Sequence, residues 1–492
     1  MIYRSTRSEE QCSDVQAVLR GPARDGGLYV SEEPFEKGFD VASCLKQRPL
    51  QMAESVISAL LPGFENMGEL VRQAYEGRFE TEDVTPLRAL GEDYVLELFR
   101  GPTAAFKDVA LSMLPRLMTA ARRQEGIKGE TVILTATSGD TGKAALEGFR
   151  DVEGTRVIVF YPAGGVSPIQ RRQMVTQRGD NVLVCAVRGN FDDCQSAVKK
   201  AFSGLGSSGA LSGAGLSLSS ANSINIGRLT PQAAYYFAAY ARLMERGRIK
   251  LGDRVDFVVP TGNFGDILAG YYAKRMGLPV GRLVCASNAN RVLTDFFETG
   301  VYDRRREFIK SSSPSMDILI SSNLERLLFF ASGGDTELTR RCMESLRDEG
   351  VYTLPESVMG EIRETFSAGC CTEAETAETI GRVWRERRYL CDPHTAVAAK
   401  VAADYKARSG GAAPLVILST ASPYKFPAAV LGAIGGDMAG DEFRQMETLQ
   451  GLSGIPIPRG LAELSQLTER FGDEIDRQDM QRYIMRKLGV SV

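Results

Sequence analysis

The sequence is poor in the side chains on which many enzymes rely for acid–base chemistry and metal binding. It contains one histidine, His394, and one tryptophan among 492 residues. A single histidine excludes metal sites built from two histidines, such as His-Glu-x-x-His, and leaves a Ser-His-Asp triad only that residue. Proton transfer therefore has to depend mainly on lysine, on carboxylates or on the groups of a cofactor.

The cysteines, the net charge and the hydrophobic runs exclude further classes of protein. Nine cysteines are scattered without a Cys-x-x-Cys pair, which favours reduced thiols over disulfides or structural zinc. The net charge of -3 gives no basic surface for nucleic acid or an anionic membrane. No hydrophobic run approaches the roughly 18 residues that span a bilayer, and the first residues lack a signal-peptide core. We therefore expect a cytoplasmic protein without a metal site that acts on a small molecule.

The order of the hydrophobic segments predicts an α/β protein. Short strands rich in β-branched residues alternate with amphipathic helices, which is the pattern of parallel sheets covered by helices. The predicted strands are 94–99, 132–136, 157–161, 182–187, 255–259, 282–286 and 415–418. We divide the chain into an N-terminal helical segment (1–90), two parallel-sheet α/β domains (91–230 and 231–440) and a C-terminal helical tail (441–492). In such folds, ligands bind beyond the carboxyl ends of the strands.

One lysine stands at the start of a predicted helix. After the strand-breaking pair Gly101-Pro102, the residues from Phe106 onward follow an amphipathic helical pattern, and Lys107 lies beside its hydrophobic face. Apolar neighbours and the positive end of the helix dipole both disfavour the ammonium form. Such an amine can attack a carbonyl, as in the Schiff base between lysine and pyridoxal phosphate (PLP). The alternative is a solvated lysine whose methylenes cover the edge of the core.

Two predicted strand–turn–helix segments contain turns suited to bind anions. Residues 262–265, Gly-Asn-Phe-Gly, can direct their backbone N–H groups at a phosphate, although an ordinary βα turn has the same composition. Residues 137–142, Thr-Ser-Gly-Asp-Thr-Gly, repeat this arrangement, but Thr137 and Ala144 break the nucleotide P-loop pattern. The second loop then provides hydroxyls and N–H groups suited to a carboxylate.

Two further polar residues follow predicted boundaries. Thr420 comes after the strand 415–418 and can donate to a ring nitrogen, or it can cap the next helix. His394 lies in the first turn of a predicted helix, and for a lone histidine a structural role is the simpler interpretation. Taken together, the segments provide an amine, a phosphate loop, a carboxylate loop and a hydroxyl donor, which are the parts that a PLP enzyme needs.

These segments, in this order, resemble the threonine synthase family of fold type II PLP enzymes. The resemblance reaches to about residue 430 and includes 3–6, 25–29, 101–108, 137–142, 222–225, 262–266, 313–318, 392–396 and 420–426. It implies a tryptophan synthase β-like fold with PLP as cofactor. It also implies a lyase that converts O-phospho-L-homoserine and water into L-threonine and phosphate, and we expect a monomer or homodimer.

The resemblance also implies roles for individual residues. Lys107 would be the catalytic lysine that binds PLP and moves protons. The residues expected to hold the cofactor are Lys107, Gly262, Asn263, Phe264, Gly265, Asp266 and Thr420. The residues expected to contact the substrate are Ser138, Gly139, Asp140, Thr141, Arg228 and Lys425. Many relatives have Asn where this chain has Asp140, so an Asn-like hydrogen bond to the cofactor is not implied here.

Two other functions stay open. Another PLP lyase of the same fold would share Lys107 and the phosphate loop but release a keto acid and ammonia. A non-catalytic protein would use the scaffold to bind a phosphorylated ligand, with Lys107 as a structural residue. The segments 222–225 and 313–317 favour the synthase.

Overall fold

The computed structural model describes residues 1–137, 139–189, 191–207, 210–411 and 413–490. The chain begins with a small segment that packs on the other elements. This segment contains β1 (Ile2–Ser5), β2 (Gln11–Ser13), α1 (Asp14–Arg20), β3 (Tyr29–Val30), α2 (Glu33–Glu36), α3 (Val41–Cys44), α4 (Pro49–Leu60) and α5 (Met67–Tyr75). We predicted only helices here, but β1 pairs with β2 and β3 in an antiparallel sheet. Strands of two to four residues are too short for an alternating pattern to reveal them.

The middle of the chain forms two sheets covered by helices, which confirms the predicted α/β class. Residues 87–245 form β4 (Leu87–Leu90), β5 (Asp93–Glu97), α6 (Lys107–Gln124), β6 (Glu130–Ala136), α7 (Asp140–Gly148), β7 (Thr155–Pro162), α8 (Pro168–Val175), β8 (Val182–Arg188), α9 (Phe191–Ser207), α10 (Ala210–Gly213), β9 (Leu216–Ser220) and α11 (Ile226–Glu245). Residues 255–434 form β10 (Val255–Pro260), α12 (Gly265–Arg275), β11 (Val280–Ser287), α13 (Val292–Thr299), β12 (Val301–Asp303), α14 (Leu324–Ala331), α15 (Thr336–Asp348), β13 (Val351–Thr353), α16 (Glu356–Thr365), β14 (Phe366–Cys370), α17 (Glu373–Arg387), α18 (Pro393–Ser409), β15 (Leu415–Ser419) and α19 (Pro427–Ile434). The described strands of the two sheets are parallel except for the edge strand β4 of the larger sheet, which pairs antiparallel with β5.

The strand order differs from the predicted division of the chain. Within the described residues, the larger sheet has the order β14-β11-β10-β15-β5-β4. The smaller sheet has the order β16-β8-β7-β6-β9, where β16 is Asp473–Asp476. The strand β5, which we predicted to lie in the domain 91–230, therefore belongs to the larger sheet, where Glu97 pairs with Ser419 of β15. Local sequence patterns show that a strand is buried but not which distant strand lies beside it.

The C-terminal residues connect the two sheets. They form α20 (Glu442–Ser453), α21 (Arg459–Ala462), β16 (Asp473–Asp476) and α22 (Met480–Leu488). The predicted tail was helical, but β16 extends the smaller sheet beside β8. Hydrophobic side chains of α22 pack with those of α9 against that sheet. Among the described residues, no helix combines the length and the hydrophobicity needed to cross a membrane.

The loops that follow four parallel strands converge. In the larger sheet, β10, β15 and β5 are neighbours, so the chain segments that leave their carboxyl ends emerge side by side. These segments lead to Gly262, to Thr420 and to Lys107. In the smaller sheet, β6 leads to the loop 137–142. The fold thus brings together four segments that are far apart in the sequence.

Candidate active site

A cavity lies beyond the carboxyl ends of β5, β10 and β15. Residues from the loops of both sheets line it. The lining includes Phe106, Lys107, Thr137, Thr141, Gln195, Asn222, Arg228, Gly262, Asn263, Phe264, Gly265, Asp266, Ser315, His394 and Thr420. The structure therefore brings most of the predicted site residues to one place.

Lys107 is the first residue of α6, and its amine faces this cavity. Its Nζ lies 3.2 Å from Ser315 Oγ and 3.8 Å from Asp140 Oδ2. Burial lowers the pKa of Lys107 from its usual value to about 8; Asp140 opposes this effect, and the positive charge of Lys425 adds to it. Near neutral pH, a useful fraction of this amine is therefore unprotonated and nucleophilic.

The loop before α12 has the geometry of an anion cradle. Phe264 has a left-handed backbone (φ 62°) immediately before the helix. A Cβ at Gly262 would lie 2.3 Å from the carbonyl oxygen of Ser315, so only glycine fits there. From behind, the backbone N–H of Asn323 and its side-chain amide donate to the carbonyl of Asn263 at 3.1 and 3.0 Å. The first N–H groups of α12 are thus held at the cavity, where they suit a phosphate.

Asp266, in the first turn of α12, is a buried carboxyl at the same wall. Its Oδ1 accepts from the hydroxyls of Tyr235 and Tyr236, the latter at 3.3 Å. Its Oδ2 has no partner among the described residues. Burial raises the pKa of Asp266 to about 7, although both tyrosines oppose the shift. A carboxyl that is partly protonated near neutral pH repels a bound phosphate less than a full carboxylate would.

Asp140 and Lys425 form a buried ion pair behind the cavity wall. Lys425 Nζ lies 2.6 Å from Asp140 Oδ1, which also accepts from Gln170 Nε2 at 2.9 Å. Ser315 Oγ donates to the other carboxylate oxygen at 3.4 Å. Burial alone would raise the pKa of Asp140, but Lys425 and Lys107 hold it well below its usual range. Neither Asp140 nor Lys425 lines the cavity.

The loop 137–142 presents threonines to the cavity. Thr137 and Thr141 lie on the cavity wall. The Thr137 hydroxyl accepts the N–H of Gly139 at 2.9 Å, which fixes the turn. Gly139 has φ 134°, and a Cβ there would lie 2.4 Å from the Gln170 side chain. Ser138, predicted to contact the substrate, lies outside the described residues.

Arg228 and Thr420 both line the cavity. Arg228, on α11, donates from Nη1 to the carbonyl of Ala221 at 2.8 Å, and its buried Nε has no partner among the described residues. Burial lowers the pKa of Arg228 to about 10, so it is still a cation at neutral pH. The carbonyl of Thr420 accepts the N–H of Phe106 at 2.8 Å, which ties the end of β15 to the start of α6.

Two residues of the cavity wall, His394 and Ser315, were not predicted from the sequence to have a catalytic role. His394, interpreted as structural, accepts the N–H of Ser315 at Nε2 over 3.2 Å. Ser315 in turn contacts the Lys107 amine. Both residues lie in segments on which the resemblance rests, 313–318 and 392–396, but they are 79 positions apart. Their contact therefore has no local signal in the sequence.

The cavity wall fits pyridoxal phosphate. Lys107 has an amine of lowered pKa that suits an aldehyde. The N–H groups at the start of α12 suit a phosphate, and Thr420 lies on the wall with a hydroxyl that suits a ring nitrogen. The fold and this site define a PLP-dependent enzyme of fold type II. In agreement, a family model described as pyridoxal-phosphate dependent enzyme matches residues 80–421, and one described as threonine synthase, C-terminal, matches residues 395–484.

Comparison with known proteins narrows this class. The threonine synthase of Pseudomonas aeruginosa is 40% identical over 87% of this chain and 90% of its own. A crystal structure of PLP-bound threonine synthase from Brucella melitensis is 40% identical and matches 99% of both chains with a TM-score of 0.85. The chain belongs to the threonine synthase family.

The chain is also similar to longer proteins. Human threonine synthase-like 1 is 38% identical over 94% of this chain. The chain spans about three fifths of the length of the threonine synthase-like 1 proteins, 64% in the human case.

Proposed function

We propose that this protein is a threonine synthase that converts O-phospho-L-homoserine and water into L-threonine and inorganic phosphate. The observation that carries the proposal is one cavity that is lined by Lys107, by the loop at Gly262 and by the cation of Arg228. The similarity to threonine synthases over most of the chain supports the same reaction.

We infer that Lys107 attaches the cofactor covalently, that residues 262–266 hold its phosphate and that Thr420 contacts its ring nitrogen. When bound, PLP withdraws electrons from the substrate carbons next to the amino group. A hydroxyl at the ring nitrogen leaves the ring less cationic than a carboxylate would, which restrains that withdrawal and limits side reactions.

In the proposed reaction, the Lys107 amine moves protons at Cα and Cβ of the substrate. Phosphate leaves from Cγ, a proton adds to Cγ to form the methyl group of threonine, and water adds at Cβ. A pKa of about 8 lets the same amine accept and return protons near neutral pH. Ser315 Oγ, 3.2 Å from Nζ, accepts a hydrogen bond from the amine at the cavity wall.

The substrate is an anion, and Arg228 is the cation on the cavity wall whose Nε is left without a partner among the described residues. We therefore propose that Arg228 binds an anionic group of the substrate and that Thr141 contacts it from the opposite loop. The substrate contacts of Ser138, Gly139, Asp140 and Lys425 stay predictions. For Asp140 and Lys425, contact with the substrate would require the cavity wall to open, because neither residue lines the cavity and Lys425 is fully buried.

A second candidate is another PLP lyase that acts on a phosphorylated or hydroxylated amino acid. The similarity to threonine synthase-like 1 proteins, a name that states likeness rather than activity, favours this candidate. Such an enzyme would use the same lysine and the same phosphate loop, so the products have to decide between the two.

The test is to incubate the PLP-loaded protein with O-phospho-L-homoserine and measure released phosphate, threonine, keto acid and ammonia. Threonine and phosphate in equal amounts support the synthase. A keto acid with ammonia supports the second candidate. A protein that binds PLP and phosphorylated ligands but releases no phosphate would instead be a binding protein.

We also propose a cytoplasmic location and a monomer or homodimer. The support for the location is that all nine cysteines are free thiols, as is usual in a reducing compartment. Light scattering after size-exclusion chromatography measures the oligomeric state.

A further inference from the structure

The single histidine is held in one protonation pattern beside the cavity. His394 Nδ1 lies 2.5 Å from Asp392 Oδ2, and the same carboxylate caps α18 by accepting the N–H of Thr395 at 3.1 Å. A carboxylate that accepts these hydrogen bonds offers no proton, so Nδ1 carries the proton of the ring. Nε2 is then an acceptor, and it receives the N–H of Ser315 at 3.2 Å.

Ser315 connects the His394 ring to the Lys107 amine and to the phosphate loop at Gly262. Its hydroxyl oxygen lies 3.2 Å from Lys107 Nζ and donates to Asp140 at 3.4 Å. Its carbonyl oxygen closes the space beside Gly262, where a Cβ would be 2.3 Å away. A shift of Ser315 would therefore change the surroundings of the amine and of the phosphate loop together.

We propose that His394 is a positioning residue for Lys107. The neutral ring, oriented by Asp392, accepts the backbone N–H of Ser315 and thereby keeps the Ser315 hydroxyl against the amine. This inference rests on the proposed role of Lys107 but not on which reaction the enzyme catalyses. A histidine that only packed against Phe426, whose ring centroid is 5.1 Å away, would leave the amine unaffected by its loss.

The expected consequence is a change in the protonation of Lys107. Without the ring, the N–H of Ser315 has no acceptor and the turn 314–316 is free to move. The ammonium form of Lys107 then loses the hydroxyl that accepts its hydrogen bond, which favours the neutral amine. The charged and titratable groups around this amine, Asp140, Lys425, Arg228 and Asp266, stay in place.

The experiment measures the reactivity of Lys107 in the cofactor-free protein, by acetic anhydride labelling at a series of pH values and mass spectrometry of the peptides. In His394→Ala and Ser315→Ala, the labelling midpoint should fall by about half a pH unit. His394→Gln should stay close to wild type, because its amide oxygen can accept the same N–H. Lys274, half-buried and bonded to the carbonyl of Gly281 at 2.8 Å, is the internal control.

The double variant decides whether His394 acts through Ser315. His394→Ala combined with Ser315→Ala should shift the midpoint no further than either change alone, because both remove one contact. Additive shifts, or a Lys107 profile that His394→Ala leaves unchanged in protein with wild-type thermal unfolding, would overturn the proposal. If His394→Ala does not fold, Ser315→Ala and His394→Gln decide: an unshifted midpoint in Ser315→Ala, or a shifted one in His394→Gln, counts against it.

Phosphate release by the same variants separates this inference from the proposed function. We expect kcat to fall about tenfold with little change in KM, because neither residue is proposed to bind the substrate. Labelling shifts in the variants, together with a wild-type protein that makes no threonine, would keep the positioning role and refute the synthase. Threonine formation with unshifted labelling would do the reverse.

Discussion

The cavity wall and the layer behind it each place a lysine beside Asp140, and the two lysines are held differently. On the wall, Lys107 Nζ lies 3.8 Å from the carboxylate and 3.2 Å from a neutral hydroxyl. In the layer behind, Lys425 is fully buried, with its Nζ 2.6 Å from the carboxylate and 3.2 Å from the carbonyl of Thr103. The amine of Lys107 on the wall is therefore available for reaction, whereas Lys425 in the layer behind is a fixed counter-charge for Asp140.

The surroundings of each lysine, rather than its residue type or its motif, therefore decide its role in this protein. Lys425 lies in the segment 420–426 beside Thr420, and its motif alone makes it a candidate to bind an anion. Its contacts with Asp140 and Thr103 already occupy its charge.

Lys107→Ala should lower the turnover by about 10²- to 10⁴-fold, because the proposed proton transfers lose their base. The fold should survive, since the side chain ends at a cavity. Phosphate release from O-phospho-L-homoserine and the thermal unfolding temperature measure the two effects. Turnover within tenfold of wild type would show that the wall lysine is not the base.

Lys425→Met should lower the free energy of unfolding by about 3–5 kcal/mol, because the buried carboxylate of Asp140 loses the nearer of its two cations and keeps only Lys107, at 3.8 Å. Urea unfolding of the cofactor-free protein measures this loss. Lys400→Met is the matched control, since Lys400 pairs with Asp404 at 2.6 Å near the surface and should cost less than about 1 kcal/mol. Equal losses in the two variants would remove the counter-charge role of Lys425.

The pH dependence of Lys107 should set it apart from an ordinary lysine. Because the neutral amine reacts and burial lowers its pKa to about 8, acetylation should rise about tenfold per pH unit below pH 8 and level off above it. An ordinary lysine rises until about pH 10.4. A Lys107 midpoint at that higher value would contradict the lowered pKa.

Gly262→Ala should weaken PLP binding about tenfold or more, because its Cβ would meet the carbonyl of Ser315 at 2.3 Å and push the wall apart. Gly265→Ala is the milder comparison, since its Cβ would find Asn323 Nδ2 at 3.5 Å, an ordinary contact. Fluorescence titration with PLP measures both. Equal affinities in the two variants would place the phosphate elsewhere.

The sequence predicted the parts of the fold and site that depend on local pattern. Strands such as β10 and β15 were visible as β-branched runs, and Lys107, Gly262 and Thr420 were found because each follows a predicted strand. Parallel strands then brought these residues to one edge, as expected for an α/β sheet.

The remaining features depend on contacts between distant segments. The pairing of β5 with β15 joins residues more than 300 positions apart, and the burial of Lys425 requires Asp140 from the other sheet. The contact of His394 with Ser315 likewise forms only when α18 and the turn 314–316 meet. Periodicity reports which face of an element is buried but not what covers it.

The most direct test of the difference between the two lysines is to reduce the PLP-loaded protein with borohydride and locate the pyridoxyl group by peptide mass spectrometry. We predict the modification on Lys107, with Lys425 unmodified. A pyridoxyl group on Lys425 or on any other lysine, with Lys107 unmodified, would contradict the account.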